Sequence, residues 1–247
     1  MLDLGTSFLA SVERDPGALA IVDGEMRLSY QDWYRKVSAL AVALSETGLK
    51  RGDHVLTAMQ NRWENASLHW ACQFLGLTVT PLNWRAKADE IDFGIADADA
   101  KAVFYEASTE DAVRLSRLAR DLPQFSDDAL AEIMDGSARD AVPLADAADW
   151  SLMLYTSGTT SKPKGVPRRH RAERAGAVRR RRAVDEVERE GEAEGVDQDV
   201  GEPGGAEPEP VREGEGDHRQ EPRDVDAAEG ARRDRGAVPD QRPVGGL

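Results

Sequence analysis

Ten consecutive residues, Thr156-Ser-Gly-Thr-Thr-Ser-Lys-Pro-Lys-Gly165, gather hydroxyls, two glycines and two lysines in one short stretch. A polyphosphate needs donors and positive charge delivered without bulk. Gly158 lets backbone amides approach an anion closely. Thr156, Ser157, Thr159 and Thr160 can each donate a hydrogen bond to phosphate oxygens. Lys162 and Lys164 supply charge-assisted bonds, and Pro163 stiffens the exit. The stretch is not a Walker-type loop: counted from Gly158, that pattern requires glycine where Pro163 stands. Composition alone also fits a polar connection between two elements.

Such a loop acts only if a scaffold aims it. Trp150-Ser-Leu-Met-Leu-Tyr155 is an apolar run and predicts a strand leading straight into the loop. Upstream, Val55–Met59, Thr78–Leu82 and Ala102–Tyr105 predict further strands. Helices alternate with them. Ser29 and Asp32 have the spacing of a capping box, and Trp33, Val37, Leu40, Ala41 and Leu44 follow at helical intervals, with Gly48 placed as a stop. Lys50–Asp53 is a turn. Trp63–Leu75, closed by Gly76, and Ala88–Ala96 predict two more helices, and Val113–Leu122 and Asp128–Met134 shorter ones. Alternation with short connections predicts an α/β layer with a largely parallel sheet. Ligands of such sheets bind beyond the carboxyl ends of the strands, where the loop after Tyr155 lies.

The other chemistry-bearing residues are sparse. His54, His69 and His170 lack a second ligand at metal spacing, so packing or surface roles are expected and no metal ligand is assigned. Trp63, Trp70 and Phe74 share a helix face and predict core, with Cys72 a small buried residue of the same helix. One cysteine excludes an internal disulfide and suits a reducing compartment. The start Met1–Gly5 has neither the basic nor the apolar region of a signal peptide, and no apolar run is long enough to span a membrane, so a cytoplasmic location is expected. The formal net charge of −14 carries no basic footprint for nucleic acid.

Tyr155–Gly165 resembles the signature Y-T-S-G-T-T-G-x-P-K-G of the adenylate-forming (AMP-binding) acyl-CoA synthetase and ligase family. It matches at nine of ten fixed positions, with Ser161 in place of a glycine. Leu28-Ser-Tyr30, Gly48 with Arg51-Gly-Asp53 and Val55, then Asn61, Gly76 and Pro81-Leu-Asn83 resemble family segments in the family's order. The resemblance covers about residues 17–171 and implies the N-terminal part of that ligase fold, within a body of residues 1–171. It implies that Thr156, Ser157, Gly158, Thr159, Thr160 and Lys164 hold the β- and γ-phosphates of ATP. It also implies a small carboxylic acid and coenzyme A as substrates, with Mg²⁺ on the nucleotide. The family reaction forms an acyl-adenylate and pyrophosphate, after which the thiol of coenzyme A displaces AMP. Downstream of the loop the family carries an aromatic-Gly-x-[ST]-Glu motif, an Asp for the ribose, a hinge and a second domain with a Lys. None of these follows Gly165 here, so the chain is expected to be truncated and inactive by itself, and no residue in it is assigned as catalytic.

Residues 172–247 have a different character. They hold 13 arginines and 21 acidic residues, and their only Leu is Leu247. A segment this poor in apolar residues cannot offset its ordering entropy and is expected to be disordered. From Gly165 onward, 83 positions use only the ten residue types whose codons begin with G or C. In a GC-rich gene the third codon base is G or C, and reading one frame out brings it first. The expectation is an out-of-frame tail, with the crossover after Arg171. The alternative is a non-enzymatic protein that joins an ATP-loop body to an acidic disordered interaction tail.

Overall fold

The computed structural model describes residues 2–136, 139–156 and 163–179. Helix α1 (Leu4–Arg14) starts at Asp3, whose carboxylate accepts from the Thr6 amide at 2.8 Å, and it buries Phe8 and Val12. Strands β1 (Leu19–Asp23) and β2 (Met26–Ser29) form an antiparallel hairpin that turns at Gly24, where φ is 55°. Helix α2 (Tyr30–Ser45) is capped by Ser29, which accepts from the Asp32 amide at 3.1 Å. The expected capping box forms only in part: the Asp32 carboxylate accepts from the Ser29 hydroxyl instead of reaching back to the backbone. The helix stops at Ser45, and Gly48 (φ 89°) turns the chain a few residues later.

An alternating run follows: β3 (His54–Ala58), α3 (Trp63–Leu75), β4 (Thr78–Pro81), α4 (Ala88–Ala98) and β5 (Ala100–Tyr105). It continues through α5 (Glu110–Leu115), β6 (Gln124–Ser126), α6 (Asp127–Asp135), β7 (Trp150–Thr156) and β8 (Lys164–Arg169). The six strands lie in the order β6-β5-β3-β4-β7-β8. All neighbours run parallel except β8, which returns antiparallel to β7. The α/β class with a largely parallel sheet is therefore as the alternation implies.

Side-chain alternation divides the core between two faces. Val55, Val79, Ala102 and Phe104 point into a cluster with Phe8, Trp33, Leu40 and Leu68 from α1, α2 and α3. Leu56 and Val103 point into a second cluster with Ile91, Ile95 and Val113 from α4 and α5. Gly94 allows close packing of α4: a β-carbon there would stand 2.7 Å from Leu56 Cδ1.

Two local expectations change. The single helix expected over Val113–Leu122 is α5 followed by a separate 3-10 turn at Ala119–Asp121. Asp92 breaks it, accepting from the Ser116 hydroxyl at 2.6 Å and from the Leu118 amide at 3.0 Å. Residues 164–169, read as loop exit and family-like sequence, form strand β8. Residues 170–179 are helical, in a stretch whose helix formers also allow an isolated helix, and the expected disorder of 180–247 lies outside the described residues.

Candidate functional site

The loop rises from a hairpin. β7 and β8 pair from Trp150↔Arg169 to Thr156↔Lys164, which leaves residues 157–163 as the connection. Two of the predicted phosphate-binding residues, Thr156 and Lys164, are thus cross-strand partners, and opposed residues of an antiparallel pair share one face. Lys164 is exposed. Ser157, Gly158, Thr159 and Thr160 lie outside the described residues.

The next pair up the hairpin, Tyr155↔Gly165, faces the other way, towards α4. The Tyr155 hydroxyl donates to Asp97 Oδ2 at 2.7 Å, and its ring meets Phe93 edge-on at 5.6 Å between centroids. Burial, and then the bond to Asp97, pushes the Tyr155 phenol well above its ordinary range. Gly165 permits this closeness: a β-carbon there would stand 2.9 Å from Met153 Sδ and 3.4 Å from the Tyr155 ring.

Two cavities open beside this end of the sheet. One of about 670 Å³ is lined by Pro81, Asn83, Glu90, Phe93, Tyr155 and Thr156 among others. On the opposite face, one of about 530 Å³ lies between Ile21, His69, Val79, Leu152 and Leu154. The first touches the predicted loop directly through Thr156 and Pro163. It sits beyond the carboxyl ends of β4 and β7, where ligands of parallel sheets bind.

At its base the hairpin is held by side chains. Arg51 donates from Nε to Asp149 Oδ2 at 2.7 Å, and from Nη2 to Asp149 Oδ1 at 3.0 Å and Asp146 Oδ2 at 2.7 Å. That fork grips the turn from which β7 starts. The Arg169 guanidinium lies 3.8 Å over the Trp150 ring.

His54, His69 and His170 all lie in packed surroundings. His170 is fully buried, and its Nδ1 accepts from the Leu4 amide at 3.2 Å. Burial pushes its pKa down. His69 is pushed down to about 4, by burial first and by His170 second. His54 Nδ1 sits 3.4 Å from Thr80 Oγ1, and burial lowers its pKa too. Cys72 is fully buried and its thiol is pushed up, which leaves it inert. Among the described residues no three His, Cys, Asp or Glu side chains gather as a metal site requires. No helix among them is long and apolar enough to cross a membrane.

Sequence reasoning missed Asp97 and the Arg51 fork. Both pairings join residues 58 or more positions apart, and periodicity carries no trace of such contacts. The signal for Asp97 is an acidic residue in the last turn of a helix, where the macrodipole disfavours it.

This geometry has counterparts. Long-chain-fatty-acid–CoA ligase FadD13 of Mycobacterium tuberculosis (strain ATCC 25618 / H37Rv) is 31% identical over 152 residues, covering 59% of this chain and 30% of that protein. 4-Chlorobenzoate–CoA ligase of Arthrobacter sp is 33% identical over 171 residues, covering 66% of this chain and 32% of that protein. The chain thus spans about a third of the curated relatives it matches. Among solved structures, the inhibitor-bound N-terminal domain of FACL13 from Mycobacterium tuberculosis superposes with a TM-score of 0.64 at 28% identity. That match covers 69% of this chain and 45% of that one. The family model described as AMP-binding enzyme matches residues 8–196, a span that contains the sheet, the hairpin and the loop, and the chain belongs to that family.

Proposed function

We propose that this chain carries the phosphate-holding part of an ATP-dependent carboxylate–CoA ligase. The observation that carries the reading is the pairing of Thr156 with Lys164 at the carboxyl end of a parallel sheet. It closes the base of a loop whose sequence is rich in donors and positive charge. In the proposed reaction a carboxylate attacks the α-phosphorus of ATP, giving an acyl-adenylate and pyrophosphate, and the thiol of coenzyme A then displaces AMP. The loop acts electrostatically on the leaving group. Thr156, Ser157, Thr159 and Thr160 donate to β- and γ-phosphate oxygens, Gly158 admits backbone amides, and Lys164 neutralises charge from its exposed strand position. Mg²⁺ enters only with the nucleotide. The described residues offer no gathered carboxylates to hold it, and no step here depends on it. The relatives are named for long-chain fatty acid, 4-chlorobenzoate and 2-succinylbenzoate, which supports a carboxylic acid with an aliphatic or aromatic body as substrate class.

The 247 residues by themselves are proposed to be inactive, with 172–247 read out of frame. Adenylation needs nucleotide and carboxylate held in near-attack geometry, a positioning that accounts for roughly 7–11 kcal/mol of such barriers. The residues this reading assigns contact the leaving group. Calorimetric titration of the purified chain should give ATP or pyrophosphate binding with a Kd of about 1 mM, roughly −4 kcal/mol, weakened by Lys164→Ala. Equal binding by that variant would mean the loop is not the site. Carboxylate-dependent exchange of labelled pyrophosphate into ATP should be blank for this chain and positive for a frame-restored one. Translation of the neighbouring DNA in its other frames decides the tail. A continuation with an aromatic-Gly-x-[ST]-Glu motif supports the ligase reading, and its absence favours the non-enzymatic alternative.

A further inference from the structure

Asp97 stands where helix energetics give it no reason to be. It occupies the last turn of α4, a turn with no basic residue, at the end of a helix that disfavours an anion. It is exposed, so no core packing explains it. Its one described hydrogen bond is to the Tyr155 hydroxyl, 2.7 Å away and charge-assisted. Tyr155 is the residue immediately before Thr156. Around the bond the fit is close. Phe93, one turn earlier on α4, abuts the same ring, and Gly165 lacks the β-carbon that would crowd it. The platform is fixed as well, because Gly94 seats α4 directly on Leu56 of β3. β7, in contrast, joins the parallel sheet through a single register pair, Val79↔Leu152, near its start. Beyond Leu152 no further register pair joins β7 to β4, and at the loop-bearing end Tyr155 adds a side-chain tie to α4.

From this arrangement we infer that Asp97 is a positioning residue: through Tyr155 it fixes the tip of the β7–β8 hairpin, and so the spacing of Thr156 and Lys164, for a polyphosphate it does not itself touch. The inference rests on the phosphate-binding reading of the loop. It makes a prediction of unusual sign. A carboxylate near a phosphate site repels the ligand, so by charge alone its removal should tighten binding. As a positioning group its removal should loosen binding. Asparagine separates the two effects, since its amide oxygen still accepts from Tyr155 without the charge.

The test is a phosphorus NMR titration of the full chain with inorganic pyrophosphate, run beside amide hydrogen exchange over 150–156 and 164–169. The variants are Asp97→Ala, Asp97→Asn, Tyr155→Phe and the double Asp97→Ala/Tyr155→Phe. Asp97→Ala and Tyr155→Phe should each weaken binding about three- to tenfold. The double variant should lose no more than the worse single, because both remove one interaction. Asp97→Asn should bind at least as well as the parent. Exchange near Tyr155 and Gly165 should quicken in the alanine and phenylalanine variants and hold in the asparagine variant. Binding by Asp97→Ala at or above the parent's affinity, additive losses in the double variant, or unchanged exchange would each overturn the role. No pyrophosphate binding by the parent chain would instead overturn the reading of the loop, and this role with it.

Discussion

The centre of the sheet and its loop-bearing edge are held in different ways. β3 and β5 share five register pairs, and both faces are packed with fully buried side chains such as Leu56 and Phe104. β7 meets β4 at one register pair, with Leu152 packed against the core, and polar side chains add ties at its two ends: the Arg51 fork at the base and Asp97 at the tip. Apolar burial is non-directional and worth a great deal in sum, whereas exposed polar ties are weak but geometrically specific. Local opening draws on the weakly held regions of a fold, and those are where ligand loops reside. The centre supplies stability and the edge supplies aim.

The comparison breaks first at the centre. Phe104 is fully buried and stacks on Phe125 at 5.1 Å. Phe104→Ala should cost about 3–5 kcal/mol, read as a lowered urea midpoint. Pyrophosphate affinity of the molecules still folded should stay unchanged. A core substitution that weakened binding in the folded state would erase the division between the two regions.

The next effect is acid sensitivity. Burial, and then the nearby His170, push the His69 imidazole from an ordinary 6.5 down to about 4. Above pH 6.5 the ring is neutral in both states and the contribution is flat. As pH falls below 6.5 the unfolded chain takes up a proton that the folded chain refuses, so stability declines and levels off near pH 4. The fall should amount to at most about 3 kcal/mol, and His170, also lowered by burial, acts with the same sign. Urea denaturation between pH 7 and 4 reads it. His69→Gln should flatten the slope, and an unchanged slope would remove His69 from the account.

Smaller still is the α2 cap. Ser29→Ala removes the acceptor for the Asp32 amide and should cost about 1 kcal/mol, with Ser29→Asp restoring most of it. The smallest global effect belongs to the edge. Arg51→Met should leave the denaturation midpoint within error while amide exchange quickens at 149–152 and 168–170. A global loss would mean that the fork supports the whole sheet and not the hairpin base alone.

The parts of this fold that could be read from residues are those governed by local rules. Trp33, Val37, Leu40 and Leu44 repeat at helical spacing because α2 buries one stripe, and Gly76 ends α3 because its φ of 71° suits glycine. β3, β4, β5 and β7 are short apolar runs because helices or neighbouring elements cover them. Strand β8 was illegible for the opposite reason: Lys164–Arg169 lies largely exposed at an edge, contains Pro167 and shows no apolar alternation. α1 and the β1–β2 hairpin did leave signals, an Asp3 N-cap before Phe8 and Val12, and Asp23-Gly24 between two apolar runs. At the proposed site, residue type and motif are what nominate Thr156 and Lys164. Asp97 could not be found that way, because its meaning lies in which distant phenol it reaches.

The bond from the Leu4 amide to His170 has a consequence for the order of events in folding. It ties together positions 166 residues apart, almost the full length of the described body. Closing a loop of that length comes late, since its entropic cost is met before the contact returns anything. On the ribosome, α1 is made first, yet its N-terminus acquires this partner only after β8 has emerged and His170 is buried. The first residue of the earliest helix is thus tied down late, and in nascent chains halted before residue 170 the Leu4 amide should exchange freely while Phe8 and Val12 are already packed on α2 and α3.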